Sequence, residues 1–149
     1  MPNSDLADVY LNKSRSALNM LSSAIEKNEL DWMLDTSYYA KYFAVYSLFM
    51  KAGIKSEIHD CTIAILNSVF VKQSIISQEL ASELKKSKEL RVESLYYDKE
   101  LGKEEISFHA EKAPDYHLEL KSVIERLTEK KIALIREEFR RLTRTNHDK

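Results

Sequence analysis

Apolar residues recur every three or four positions along most of this chain, which is the spacing of amphipathic α-helices. The first such stretch runs from about Ser4 to Asn28, where Ser4 or Asp5 can supply the N-cap. Its periodic apolar positions are Leu6, Val9, Tyr10, Ala17, Leu21 and Ala24. The pattern therefore predicts a first helix that ends near Asn28.

The segment TSYYAKYFAVYSLFMKAG, residues 36–53, carries four tyrosines and two phenylalanines without a proline or an acidic residue. It predicts a second helix from about Trp32 to Ala52, with Gly53 in the left-handed conformation that often follows a helix. One stripe of the helix carries Tyr38, Tyr42 and Phe49, and another carries Tyr39, Phe43, Tyr46 and Met50. Because the apolar residues cover more than one face, we expect this helix to lie at the centre of a bundle.

Three further helices are predicted downstream. One runs from 56 to about 72, with Ser56 as its N-cap, and the next runs from 77 to about 98, with Gly102 closing that unit. A last helix begins at Pro114 and can reach Thr143, followed by a frayed tail over 144–149. The conformation of residues 99–113 stays open, because KEEISFHAEKA fits a mobile loop, a short turn or a small helix.

The composition supports the helical prediction. Two glycines and two prolines in 149 residues, with 44% hydrophobic and 32% charged residues, favour long helices over hairpin turns. We predict one all-α domain, residues 1–149, built as a bundle of about five helices.

The net charge and the N-terminal segment limit the functions and locations that we expect for this chain. A net charge of −1 provides no global field for nucleic acid or an anionic membrane, so such binding would need a local patch. The start of the chain lacks a signal peptide, no apolar run approaches the length of a membrane span, and the lone Cys61 suits a reducing compartment as a small core residue. We expect a cytoplasmic protein that does not bind membranes.

The order of these features resembles the HEPN superfamily over roughly residues 4–98. The resemblance is carried by "SYYAKYFAVYSLFMKAGIKSEIH" and then "LRVESLYY" on the fourth predicted helix. The matching positions are Tyr38, Tyr39, Ala40, Phe43, Gly53 and His59, followed by Arg91.

The resemblance implies an antiparallel up-and-down helical bundle that commonly forms a two-fold dimer. Such proteins are often paired with a nucleotidyltransferase in toxin–antitoxin systems. Catalytic members are metal-independent ribonucleases whose motif is an arginine followed after four to six residues by a histidine. An arginine can stabilise the extra negative charge on a phosphate, and a histidine can shuttle a proton near neutral pH.

Arg91 matches the first part of that motif, but Tyr96, Tyr97 and Asp98 stand where the histidine is required. Tyrosine is a poor substitute because its unperturbed pKa is about 10. We therefore expect no ribonuclease activity of the family type and no catalytic residue. The nearer likeness is the divergent branch that keeps an arginine followed by an aromatic residue.

Two interpretations remain open for each candidate binding residue. Arg91 can bind an anion in a dimer cleft, or it can pair with a carboxylate on its own or another helix. Tyr96 and Tyr97 can stack on a base or bond a phosphate, or they can be core residues with satisfied hydroxyls. His59 can belong to the site, or it can hydrogen-bond to the second helix.

Other charged and metal-binding patterns are weaker. Arg136, Arg140 and Arg144 follow at four-residue steps and can contact phosphates, although Glu137 and Glu138 on the same helix indicate a solvated surface. His59, Asp60 and Cys61 are consecutive and point in different directions, so we predict no metal site and no cofactor. His109 and His117 could rescue catalysis only if their segment folded back against Arg91.

Three functions follow as expectations. The leading one is a noncatalytic, homodimeric binding module in a toxin–antitoxin or defence-type system, which recognises a nucleotide, RNA or a nucleotidyltransferase. The alternatives are a degenerate metal-independent ribonuclease toxin using Arg91, with Tyr96 and His109, and a plain dimeric scaffold protein.

Overall fold

The described chain is helical, as the sequence predicts. The computed structural model describes residues 1–55, 59–96 and 102–147, except for the side chains of residues 59, 60, 95, 96, 146 and 147. Within these ranges there are no strands, and the all-α prediction is confirmed. The helices are α1 (Ser4–Glu26), α2 (Leu30–Ala52), α3 (His59–Ile65), α4 (Gln78–Tyr96), α5 (Lys103–Ala110), α6 (Ala113–Arg126) and α7 (Glu129–His147). None of the described helices is long and apolar enough to cross a membrane.

Helices α1 and α2 form an antiparallel pair held by small polar side chains. The Ser14 hydroxyl donates to the Ala40 carbonyl at 2.6 Å, and the Ser47 hydroxyl donates to the Ala7 carbonyl at 2.6 Å. Small side chains at these buried positions allow the two backbones to approach closely. The cap of α1 is Asn3, whose side chain accepts the Leu6 N–H at 2.9 Å, and not Ser4 or Asp5 as the sequence suggested.

Helix α2 is the central element, because the other helices cover it on several sides. Its buried residues occupy all faces, and Tyr38 and Phe49 are almost completely excluded from solvent. The main core also takes in Leu120 of α6 and Ile135 of α7, both with no exposed surface. This arrangement agrees with the ring-rich pattern of α2, which predicted a helix with neighbours on more than one side.

Gly53 ends α2 in the left-handed conformation, with φ 77° and ψ 30°. The prediction made for this glycine is confirmed, and the structure adds a packing reason for it. A Cβ at this position would collide with the Arg136 guanidinium and the backbone of Met1 and Pro2. Glycine is therefore required both for the turn and for the close approach of α7.

Helix α3 continues without interruption into a π-helical turn, Leu66–Val71. Phe70 in this turn is fully buried and its ring stacks on Phe49 at a centroid distance of 5.1 Å, which ties the turn to α2. Cys61 on α3 is exposed, so its assignment as a core residue is wrong. The candidate cap Ser56 lies outside the described residues.

The C-terminal part departs from the single long helix that the sequence suggested. Leu127 is extended, with φ −68° and ψ 123°, and separates α6 from α7. The Thr128 hydroxyl then accepts the Lys131 N–H at 3.2 Å and caps the new helix. This break lets two amphipathic helices each turn an apolar face to the core.

Of segment 99–113, whose conformation the sequence left open, residues 103–110 form the short helix α5.

Candidate functional site

Arg91 on α4 lies against the N-terminal half of α2. Its Nε donates to Asp35 Oδ1 at 2.9 Å, and its Nη2 donates to the Tyr39 hydroxyl at 3.1 Å. The guanidinium carbon lies 5.4 Å from the Tyr38 ring centroid and 5.0 Å from that of Tyr39. Asp35 and Tyr39 are four residues apart on α2 and lie on the same face of it, so both reach the same arginine. The guanidinium is thereby fixed in position and orientation.

The same arginine remains partly open to solvent. The Arg91 side chain is 24% exposed and the Asp35 side chain 26% exposed. In the ranges that the structure describes, Nη1 of Arg91 makes no hydrogen bond. A half-exposed ion pair of this kind adds little to stability, about 1 kcal/mol or less. The geometry therefore suits a residue that can take a further anionic partner.

The other candidates for the Arg91 cleft cannot be placed fully. Tyr97 lies outside the described residues. Tyr96 ends α4 and His59 begins α3, but the side chains of both also lie outside them. Their proposed roles stay predictions.

A strip of half-buried rings continues from Arg91 across α2 to α1. We define this aromatic strip as Tyr10, Tyr39, Phe43 and Tyr46. Phe43 stacks on Tyr39 at 5.7 Å and on Tyr10 at 6.1 Å, and Tyr10 meets Tyr46 edge-on at 4.6 Å. On the α1 side of the strip, Lys13 Nζ lies 5.0 Å from the Tyr10 ring centroid. Aromatic rings at these separations attract each other and the cations above them.

A buried ionic cluster, which the sequence analysis missed, lies in the middle of the bundle. Lys41 on α2 has no exposed surface. Its ammonium donates to Glu83 Oε1 at 2.9 Å, to Ser87 Oγ at 2.7 Å and to the His109 carbonyl at 2.7 Å. All three donors of the ammonium thus have acceptors, from α4 and α5.

The Glu83 carboxylate is the acceptor that joins this cluster. His109 Nδ1 lies 2.8 Å from Glu83 Oε1, and Lys112 Nζ lies 3.4 Å from Oε2. Burial acts to raise the pKa of Glu83, but the neighbouring Lys41 and His109 outweigh it and hold that pKa below its usual value. Burial lowers the pKa of Lys41, and its attraction to Glu83 opposes that shift. The cluster fastens α5 to α2 and α4.

One sequence signal could have revealed this cluster. Lys41 is the only charged residue between Asp35 and Lys51, in an otherwise apolar and aromatic run. A lysine at such a position must be buried, and a buried ammonium requires a carboxylate. Sequence alone does not say that Glu83 is the partner, since many acidic residues lie on later helices.

His109 is occupied at this cluster and does not contact Arg91. Glu83 precedes Arg91 by eight residues on α4, or about 12 Å along the helix axis. His109 therefore does not bring its imidazole to Arg91. His117 is buried on α6 and its Nδ1 lies 2.7 Å from the Ser14 hydroxyl. Burial, with smaller contributions from Arg15 and Lys121, lowers the pKa of His117.

The three C-terminal arginines, Arg136, Arg140 and Arg144, differ in their surroundings. Arg136 Nη1 donates to the Gly53 carbonyl at 2.9 Å and to the Ala52 carbonyl at 3.4 Å, so its guanidinium caps the C-terminus of α2. Arg140 and Arg144 are exposed. The structure gives Arg136 a structural contact and leaves Arg140 and Arg144 as surface cations. Within the described ranges, no group of three or more histidine, cysteine or acidic side chains is arranged to hold a metal ion.

Comparison with known proteins identifies one protein family. The family model described as HEPN domain matches residues 7–114, which covers α1 through α5 and the start of α6. A comparison with curated proteins gives no match. The matched region contains Arg91, the aromatic strip and the Lys41 cluster.

Proposed function

Because this chain belongs to the HEPN family, we propose that it is a noncatalytic binding module that recognises a nucleotide or RNA through Arg91. Family membership itself suggests a nucleotide- or RNA-related or toxin–antitoxin-type role. The residue, the ligand and the lack of catalysis are parts of the proposal.

The observation that carries the proposal is the geometry of Arg91. Asp35 and Tyr39 hold its guanidinium through Nε and Nη2, and two rings pack against it. Nη1 takes part in neither of these hydrogen bonds, and the side chain is partly exposed. A guanidinium that is held in one orientation loses little side-chain entropy when it binds a phosphate, and its charged hydrogen bonds are strong ones.

The residues at the motif positions and the placement of His109 support a binding role over a catalytic one. The sequence offers Tyr96, Tyr97 and Asp98 at the offsets where the catalytic relatives have histidine. His109 is engaged by Glu83 instead of Arg91. An arginine alone can bind a phosphate, but it cannot exchange a proton near neutral pH.

Homodimerisation and a nucleotidyltransferase partner complete the proposal. Their support is family membership, and native mass spectrometry of the protein purified gently from its own cells tests both. A mass of two subunits, with or without a retained second protein or nucleotide, agrees with the proposal. A bare monomer contradicts the dimer, and a stable assembly with no affinity for nucleotide or RNA indicates a scaffold.

The test of the binding role is an equilibrium titration of wild type and Arg91→Ala with ATP and with a labelled single-stranded RNA. Loss of one charged hydrogen-bonding group, worth about 1.5–3 kcal/mol, should weaken binding by roughly tenfold or more. The matched control is Arg126→Ala, because Arg126 is exposed and, among the described residues, hydrogen-bonds to Ser122 of its own helix. Equal affinities of wild type and Arg91→Ala for both ligands would refute the role of Arg91.

A second assay separates binding from the ribonuclease alternative. RNA is incubated with wild type and Arg91→Ala without added metal, and the products are resolved on a gel. The proposal predicts intact RNA in both samples. Cleavage by wild type that Arg91→Ala abolishes would show that the chain is an enzyme.

A further inference from the structure

We propose that the aromatic strip, with Arg91 on its α4 side and Lys13 on its α1 side, is a binding surface for single-stranded RNA. This inference rests on the proposed function and extends it, because it names the ligand class and a second contact point. Tyr39 already belongs to the Arg91 site, but neither that site nor the family match assigns a role to Lys13 or to the rings of Tyr10, Phe43 and Tyr46.

The rings form one continuous surface across two helices. Tyr39 and Phe43 lie one turn apart on α2 and stack with an interplanar angle of 27°, and Phe43 stacks on Tyr10 of α1 at 29°. Tyr46 is the fourth ring and contacts Tyr10 edge-on, with an interplanar angle of 77°. All four side chains are half-buried, so their mutual contacts fix them while part of each remains accessible. A ligand would meet a surface that needs little ordering, which favours binding.

A cation that can bind a further anion lies on each side of the strip, Arg91 on the α4 side and Lys13 on the α1 side. Lys13 is exposed, and its ammonium lies 5.8 Å from the Phe43 centroid as well as beside Tyr10. Among residues whose side chains are described, no carboxylate pairs with Lys13. Arg91 pairs with a single carboxylate, that of Asp35, and Nη1 takes part in neither of its two hydrogen bonds. Along the path from Arg91 to Lys13 the order is therefore cation, the rings of Tyr39 and Phe43, and cation.

This order matches the alternation of a nucleic-acid single strand. Phosphates can contact the two cations while the bases of the intervening nucleotides lie against the rings. A duplex buries the faces of its bases in its own stack, so it could use the cations but not the rings. Because the net charge of the chain is −1, these local cations would supply most of the attraction.

The test is a titration at several salt concentrations with a labelled oligouridylate of about ten nucleotides, within the range that single-strand-binding domains cover. Two phosphate contacts predict a slope of about −1.4 for log K against log salt, since each contributes about −0.7 on a single strand. Lys13→Ala should weaken oligomer binding and bring the slope to about −0.7, while binding of UMP is unchanged. Phe43→Leu should weaken oligomer binding without changing the slope.

The matched control for Lys13→Ala is Arg15→Ala. Arg15 is exposed on the same helix, two residues further, so its side chain leaves α1 on a different face from Lys13, and its charge acts on His117 of α6. Its loss should leave oligomer affinity and slope at wild-type values. Lys13→Ala also keeps the test decisive if Phe43→Leu fails to fold, because Lys13 is a surface residue.

The outcomes separate the inference from the proposed function. If Arg91→Ala weakens binding but Lys13→Ala behaves like Arg15→Ala, the aromatic strip is not an RNA-binding surface, and the proposed role of Arg91 stands. If Arg91→Ala changes nothing, both fail. Tighter binding of duplex or of the matching single-stranded DNA would overturn the assignment to single-stranded RNA. Loss of a dimer in Lys13→Ala or Phe43→Leu, without RNA binding by wild type, would show that the strip is a protein interface.

Discussion

Among single substitutions that keep the size and helix propensity of the side chain nearly unaltered, Lys41→Met should destabilise the bundle most. Methionine is unbranched and of similar length, so it can fill the space of the lysine stem. What it removes is the ammonium that bonds to Glu83, Ser87 and the His109 carbonyl. The Glu83 carboxylate, 11% exposed, then loses its 2.9 Å ion pair with Lys41.

The expected loss of unfolding free energy is about 3 kcal/mol. Breaking a buried ion pair from one side costs about 3–5 kcal/mol, because the remaining charge stays buried. The lower end applies here, since Glu83 keeps His109 and Lys112 as partners. In a chain of this length, each kcal/mol lowers Tm by roughly 2–4 °C, so the shift should be about 6–12 °C.

Urea unfolding followed by far-ultraviolet circular dichroism measures this loss. The control is Lys112→Met, which removes an ammonium from the same carboxylate at an exposed position and should cost at most about 1 kcal/mol. Hydrogen exchange adds a local test, because α5 is tied to α2 through the His109 carbonyl. Amides of residues 103–110 should exchange faster in Lys41→Met than in Lys112→Met.

Two results would refute this reasoning. If Lys41→Met and Lys112→Met cost the same, Lys41 is not in a buried ion pair. If exchange in α5 is unchanged, the cluster does not hold that helix.

Replacing both members of the ion pair, as Lys41→Met with Glu83→Leu, should recover part of the stability, because a well-packed apolar pair avoids the desolvation of two charges.

Three further outcomes follow from the described contacts. Gly53→Ala should cost at least about 1–2 kcal/mol in urea unfolding, because φ is 77° and a Cβ would displace Arg136; an unchanged midpoint would contradict this. The lowered pKa of His117 means that the unfolded state takes up its proton first, so stability should fall as pH drops below about 6.5; a His117→Asn variant with an identical pH profile would refute this assignment. Arg136→Ala should lose about 1–3 kcal/mol of stability as α2 loses its cap, whereas Arg140→Ala should stay within about 0.5 kcal/mol, and equal losses would argue against the capping role.

The sequence predicted those features that depend on local pattern. The central position of α2 followed from apolar residues on several faces, and the left-handed Gly53 followed from its place after the last apolar turn. Arg91 could also be selected from the sequence, because the family motif is local. Each of these inferences needs only residues close to one another in the chain.

Features that depend on distant residues could not be read in this way. Lys41 is bound by residues far along the chain: Glu83 is 42 residues away, Ser87 is 46 and His109 is 68. Similarly, Arg136 looked like part of a surface stripe until α7 placed it at the end of α2. The break at Leu127 had a local signal in the Thr128 cap, but the apolar periodicity on both sides concealed it.

Photo-crosslinking of RNA to the protein tests the central claim most directly, because it reports where the ligand lies. Full-length protein is irradiated with an oligouridylate that contains 4-thiouridine, and the crosslinked peptides are mapped by mass spectrometry. We predict crosslinks to the segment of α2 that contains Tyr39 and Phe43, with their yield reduced in Arg91→Ala. Crosslinks confined to α7 around Arg140 and Arg144, or a yield that Arg91→Ala leaves unchanged, would contradict the account.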